Sequence, residues 1–261
     1  MKRILCYGDS NTWGYTPPTG ERYPGNVRWT GVLAKELGAE YEILEDGING
    51  RTTVWNSPYY PCRNGMEGLG YSLFSARPLD LIVLMLGTND LNYTDAWGYY
   101  RGLSAIVRRI LNAPAFYQDS SAVFVEKPRI LLVSPITLHP QIAQIRPDLA
   151  CCGRYEDSCH FAEFTARVAE EFHVPWVDAA PCACASAADG LHLTESGHRA
   201  IGEMLARYIS AIKSCEILPT TAMYANTAVS VSVTSDFTLR RFPSRLMILS
   251  IVCTGDGRGR K

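Results

Sequence analysis

The chain has 261 residues, a formal net charge of −1, and 47% hydrophobic against 20% charged residues, the ordinary composition of a protein that buries a large core. With almost no net charge and no clustering of Lys or Arg before residue 216, it lacks the electrostatic footprint of a nucleic-acid binder, and no apolar run is long enough to cross a bilayer, so neither partner is expected. Nine cysteines without a repeating spacing argue for reduced thiols, and neither Cys151-Cys152 nor Cys182-Ala183-Cys184 has the two-residue gap of a zinc knuckle, so no metal and no cofactor is expected.

In chain order, residues 3–7 form a strand-length apolar run that breaks at Gly8. Trp29, Val32, Leu33 and Leu37 then recur at helical spacing until Gly38, and a second strand run covers residues 41–44. Residues 66–77 make a weaker helix pattern because Gly68 and Gly70 interrupt it. The third strand run, 81–86, precedes a stripe of Leu103, Ile106, Val107, Ile110 and Leu111 that ends before Pro114. A fourth run covers 130–133; Phe161, Phe164, Val168 and Phe172 follow at helical spacing, then a fifth run at 174–177. The last stripe is Ile201, Leu205, Tyr208, Ile209 and Ile212, starting from Thr194 as N-cap. The strand runs are nearly continuous in hydrophobicity, as strands covered on both faces must be. Strands alternating with helices predict a doubly wound α/β fold: a three-layer α/β/α sandwich on a five-stranded parallel sheet.

Residues 1–215 read as one domain. The segment 216–261 differs: residues 229–233 alternate like a strand, residues 246–253 are apolar, and the end is glycine-rich and basic, with six Lys or Arg in the segment. A flexible C-terminal extension, dispensable for activity, is the expectation.

In open parallel sheets ligands bind beyond the carboxyl ends of the strands. Ser10 follows the first strand, 47–50 the second, 87–90 the third, and 189–192 lies beyond the fifth, so the polar candidates converge on one rim. Acyl transfer needs a nucleophile, a base held by an orienting group, and donors aimed at the oxyanion. Ser10 supplies the hydroxyl, His192 the imidazole base, and Asp189 the carboxylate that fixes its tautomer. The oxyanion donors are the backbone N–H groups of Ser10 and Gly50 and the side-chain amide of Asn89. Trp13, Tyr15, Tyr59 and Tyr60 lie in rim loops and are the candidate substrate pocket. Trp29 belongs to its helix stripe and reads as core; Arg51 and Asp46 read as a structural ion pair; His139, His160, His173 and His198 read as surface or packing residues. A flavin-binding, flavodoxin-like module is the competing class, with residues 10–16 as a hydroxyl-rich phosphate loop. It leaves Asp189 and His192 without a task and puts Trp13 where backbone amides should wrap a phosphate. Because Ser10 needs the run before it as a strand, no signal peptide is expected, and a cytoplasmic location follows.

The blocks Gly8-Asp9-Ser10-Asn11, Gly47-Ile48-Asn49-Gly50, Gly87-Thr88-Asn89-Asp90 and Asp189-Gly190-Leu191-His192, in this order, resemble the SGNH (GDSL-type) hydrolases over about residues 2–213. The resemblance puts the family's serine, glycine, asparagine, histidine and aspartate on Ser10, Gly50, Asn89, His192 and Asp189. It implies a flavodoxin-like three-layer fold, metal-free ester hydrolysis and an open site. Ile4 to Ser10, Val27-Arg28-Trp29-Thr30-Gly31-Val32-Leu33, Gly50-Arg51-Thr52-Thr53 and Met85 to Asp90 are similar to the arylesterase and acyltransferase branch. That branch hydrolyses small aryl and alkyl esters, in some members passes the acyl group to an alcohol, and includes oligomers. The expectation is a serine esterase acting on a small-molecule short-chain ester through an acyl-enzyme on Ser10, as a homo-oligomer. A carbohydrate O-deacetylase of the acetylxylan esterase type is the alternative. The chain departs from the pattern at Asn11, where leucine is common, and at Gly50, where the acyltransferase has alanine.

Overall fold

The computed structural model describes residues 1–113 and 122–216. Parallel strands β1 (Lys2–Gly8), β2 (Tyr41–Gly47), β3 (Leu81–Met85), β4 (Ile130–Ser134) and β5 (Trp176–Asp178) form one sheet in the order β2-β1-β3-β4-β5. The connecting helices are α1 (Ser10–Trp13), α2 (Trp29–Leu37), α3 (Gly65–Ala76), α4 (Ala96–Leu111), α5 (Ile142–Ile145), α6 (Tyr155–Cys159), α7 (Phe161–Phe172) and α8 (Glu195–Glu216), with a 3-10 turn at Thr88–Asn92. Among these residues no helix is long and apolar enough to cross a membrane.

Side-chain alternation divides the interior into two cores. Leu5, Tyr7, Ile82, Leu84, Ile130 and Leu132 face α3, α4 and α7, while Ile4, Cys6, Val83, Met85, Leu131 and Val133 face α2 and α8. This is the three-layer sandwich read from the sequence. The two-sided burial expected of every strand holds for the central β1, β3 and β4. β2 differs, with all seven residues half-buried, because an edge strand has a neighbour on one side only. The fifth strand starts two residues later than its apolar run: the Val174 N–H closes the end of α7 on Ala169 O at 3.0 Å, and Pro175 has no N–H to give a ladder.

The weak helix at 66–77 is real. Asn64 caps it by accepting from the N–H groups of Met66 and Glu67, which offsets the cost of its glycines. The expected cap of α8 also holds, with Thr194 Oγ1 accepting from Gly197 N–H at 3.2 Å. The alternating and apolar runs at 229–233 and 246–253 lie outside the described residues.

Register sets up the rim. Gly8 of β1 pairs with Gly47 of β2 and with Met85 of β3, so three strands end at one level and their following loops meet there. At Gly8 a Cβ would stand 2.0 Å from Thr12 Oγ1 and 2.8 Å from Met85 O, so only glycine lets α1 fold back onto the strand end.

Candidate active site

The turn after β1 is built by Asp9. It is the N-cap of α1, its Oδ1 accepting from Asn11 N–H at 2.9 Å, and its carbonyl takes the N–H groups of Thr12 and Trp13. The N–H of Ser10 is an orphan of the first helical turn and donates to no acceptor among the described residues. The Gly50 N–H is likewise unengaged, at a residue with φ of 78°. Asn89 follows β3 in the 3-10 turn; its Nδ2 donates to Arg51 O at 3.1 Å and lies 3.5 Å from Asp9 Oδ2. These hydrogen bonds hold the amide plane between the nucleophile turn and the 50–53 loop.

The imidazole comes from the loop between β5 and α8. Asp189 Oδ1 accepts from the N–H groups of Leu191 and His192 at 3.0 and 3.1 Å, and Ser186 anchors the loop through Gly190 N–H and His192 O. That wrap leaves Asp189 Oδ2 facing His192 Nδ1 at 2.6 Å, while His192 Nε2 is 2.9 Å from Ser10 Oγ. With Nδ1–H donating to the carboxylate, Nε2 carries the lone pair and accepts from the serine hydroxyl. Burial pushes the Asp189 carboxyl up, but His192 and the two loop N–H groups outweigh it and hold the acid below its usual range. Asp189 is therefore charged when the imidazole needs a counter-ion. The geometry permits general-base activation of the serine and protonation of a leaving oxygen.

Behind these residues are two buried acids. Burial lifts Asp9 to about 6 against the opposing pull of Asn11 N–H, His192 and Arg51. Asp90 accepts from Thr53 N–H at 2.8 Å and from the Thr53 hydroxyl, and burial lifts it to about 7. Both brace the rim: Asp9 through α1, Asp90 through the 50–53 loop. Arg51 is buried and pairs with Asp46 at 2.7 Å, as the sequence led us to expect; it also donates to Gly8 O and lies 4.0 Å over the Tyr7 ring.

The structure brings Ser10, His192 and Asp189 together. Of the aromatic pocket candidates, Tyr15 stacks on the His192 ring at 3.9 Å. Trp13 is half-buried, with the Arg22 guanidinium over its ring at 5.1 Å. Tyr59 is 83% exposed, and Tyr60 is 54% exposed beneath the Arg63 guanidinium at 3.9 Å. Trp29 is core, and His198 is fully buried, accepting from Trp29 N–H at 3.3 Å. The 10–16 segment weighed as a phosphate loop instead starts as the helical turn α1, with Ser10 Oγ on the imidazole. Sequence reasoning missed Asn11, whose Oδ1 accepts from Leu193 N–H at 2.9 Å and whose Nδ2 reaches Leu191 O at 3.4 Å. The only signal for it was a polar residue where the resembled blocks carry leucine. Among the described residues no group of three or more His, Cys, Asp or Glu is arranged to hold a metal ion.

Residues 6–200 match the GDSL-like Lipase/Acylhydrolase family. No curated protein matches the chain. Among solved structures, the native aryl esterase of M. smegmatis is 34% identical with a TM-score of 0.72, over 81% of this chain and 99% of that one. A carbohydrate acetylesterase from Sinorhizobium meliloti is 30% identical with a TM-score of 0.74, over 81% of this chain and 100% of its own. A carbohydrate acetylesterase family member from the same organism is 33% identical with a TM-score of 0.73, over 82% and 100%.

Proposed function

Since this chain belongs to the GDSL-like lipase/acylhydrolase family and is a carboxylic ester hydrolase, we propose that it cleaves short-chain esters, aryl or alkyl acetates, through an acyl-enzyme on Ser10. The observation that carries the proposal is the pair of contacts from Ser10 Oγ to His192 Nε2 at 2.9 Å and from His192 Nδ1 to Asp189 Oδ2 at 2.6 Å.

Ser10 Oγ attacks the ester carbonyl as its proton passes to His192 Nε2. Asp189 stabilises the imidazolium that forms. The tetrahedral oxyanion is held by the Ser10 and Gly50 N–H groups and by the Asn89 amide, which turns one N–H from its resting partners toward the new charge. Each such donor contributes about 3–4 kcal/mol to the transition state. His192 then returns the proton to the leaving oxygen, and water, activated by the same imidazole, releases the acid. Tyr15 keeps the imidazole in plane by stacking.

Ser10→Ala is expected to abolish turnover of p-nitrophenyl acetate while the circular dichroism spectrum stays that of the wild type; activity surviving in the purified variant overturns the assignment. Deacetylation of carbohydrates is a second reading, supported by the two S. meliloti neighbours. Comparing kcat/KM for phenyl acetate with that for acetylated xylose separates the two.

A further inference from the structure

We infer that Arg63 binds a carboxylate on the acyl part of the substrate, so that the preferred esters are half-esters of dicarboxylic acids. The inference rests on the Ser10 acyl-enzyme proposed above and names the substrate class for the same site.

Arg63 is fixed at its backbone, because its carbonyl accepts from Thr52 N–H at 2.9 Å and from the Thr52 hydroxyl at 3.3 Å. Its backbone is thereby tied to the 50–53 loop and not only to the more exposed turn before it. The guanidinium lies directly against Gly50: a Cβ built there would stand 2.7 to 2.9 Å from its Nη1, Cζ and Nε atoms. Its face is backed by the Tyr60 ring at 3.9 Å. A cation is thus held next to a residue whose N–H is unengaged.

Among the described residues the charge has no counter-ion. Arg3 pairs with Glu42, Arg28 with Glu45 and Arg51 with Asp46. Arg63 is half-buried like the first two, yet its guanidinium has neither a carboxylate nor a hydrogen-bond acceptor among the described residues. The Tyr60 π-face covers one side of the guanidinium, while its N–H edge stays open to solvent, where a ligand can reach it. That edge is a planar fork matched to a carboxylate. The direction of approach follows from the chemistry. The leaving oxygen must lie beside His192 Nε2, and the oxyanion points at the Ser10 and Gly50 N–H groups. The remaining substituent, the acyl chain, has no other partner assigned, and the inferred binding takes it past Gly50 to Arg63.

The test compares mono-4-nitrophenyl adipate and glutarate with their neutral methyl esters, which differ in a single charge. With the full-length protein at low salt, kcat/KM for the better half-ester is expected to exceed that of its methyl ester by about tenfold, a gap that narrows as sodium chloride is added. Arg63→Gln should bring the ratio close to one, Arg63→Lys should retain part of it, and Tyr60→Leu should reduce it by freeing the guanidinium. Absolute rates are expected to fall for both esters in Arg63→Gln, since a cation beside the oxyanion assists either, so the ratio is the readout. Should Arg63→Gln fail to fold, the wild-type ratio, its salt dependence and the other two variants decide. A wild-type ratio at or below one, or a ratio that Arg63→Gln leaves intact, overturns the inference. So does a preference for 4-acetoxybenzoate over its methyl ester with none for the half-esters, which would put the anion on the leaving group. Turnover of these esters that persists in Ser10→Ala overturns the proposed function instead.

Discussion

Asn11 joins the two halves of the site that the sequence keeps farthest apart. Its side chain spans from the turn carrying Ser10 to Leu191 and Leu193, on either side of His192, and it is 4% exposed. Asn11→Ala leaves the Leu193 N–H buried without its acceptor, a loss of about 1–3 kcal/mol, and releases the imidazole loop from the nucleophile turn. Because small misplacements of a base cost large factors in rate, kcat is expected to fall by about 10- to 100-fold while KM changes little, measured with p-nitrophenyl acetate beside a thermal melt. A variant that loses stability but keeps its kcat would show that the Asp189 wrap alone positions His192. Ser10, Asp189 and His192, which the structure brings together, were legible in the sequence because each sits in a short block, and Asp189 acts on the N–H groups of Leu191 and His192 within its own. Asn11 was not, since its significance lies in which distant loop it touches. Tyr15 was legible only as a rim aromatic, because its stacking on His192 joins segments nearly the whole domain apart.

At the scale of elements, apolar periodicity located the starts of α2 at Trp29 and α7 at Phe161 but not that of α4. α4 begins at Ala96, seven residues before Leu103 opens the stripe read from the sequence, and its start is fixed by polar contacts: Asp95 Oδ1 accepts from Gly98 N–H at 2.9 Å and Asp157 Oδ1 from Ala96 N–H at 2.9 Å. An Asp before a mixed run of Ala, Trp and Gly is a weak cap signal, and the Asp157 contact comes from α6. Asp95 is exposed, so Asp95→Ala removes a cap without opening a cavity. The expected loss is about 1 kcal/mol, or about 2–4 °C in Tm for a domain of this size, with the second cap on Asp157 preserving the fold. A melt shifted by less than half a degree would show that Asp157 suffices. The sheet was legible for the opposite reason: β1, β3 and β4 are buried on both faces, and nothing but an apolar run can fill such a position. Edge strands β2 and β5 departed from their runs because half-burial tolerates Glu42, Glu45 and Asp46, and because Pro175, whose carbonyl accepts from Leu132 N–H, has no N–H to donate to a ladder.

The molecule as a whole buries titratable groups that oppose one another on acidification. Folded Asp90 holds its proton up to about pH 7, whereas an unfolded aspartate releases it near about 3.9, so folding takes up a proton between these values. The stability it contributes is complete below about pH 4 and is lost as pH rises to about 7. His198 runs the other way. Burial first, then the nearby Arg28 and His192, lowers it to about 4 against an unfolded value of about 6.5, so its stability is complete above 6.5 and is lost as pH falls toward 4. Over the shared window the two slopes, each limited to about 1.4 kcal/mol per pH unit, partly cancel, and Asp9 adds to the Asp90 side up to about 6. Single variants separate them. In urea melts from pH 4.5 to 8, the stability of the wild type minus that of Asp90→Asn is expected to fall with rising pH up to about 7 and then level off. The stability of the wild type minus that of His198→Gln should rise up to about 6.5. Taking differences removes the salt-bridged carboxylates, which titrate alike in all three proteins, whereas Asp9, whose charge acts on Asp90, leaves a contribution centred at about pH 6 in the Asp90→Asn difference. A level curve for Asp90→Asn would mean that the folded protein carries a charged carboxylate behind Thr53 throughout, and that the Thr53 N–H and hydroxyl outweigh its burial.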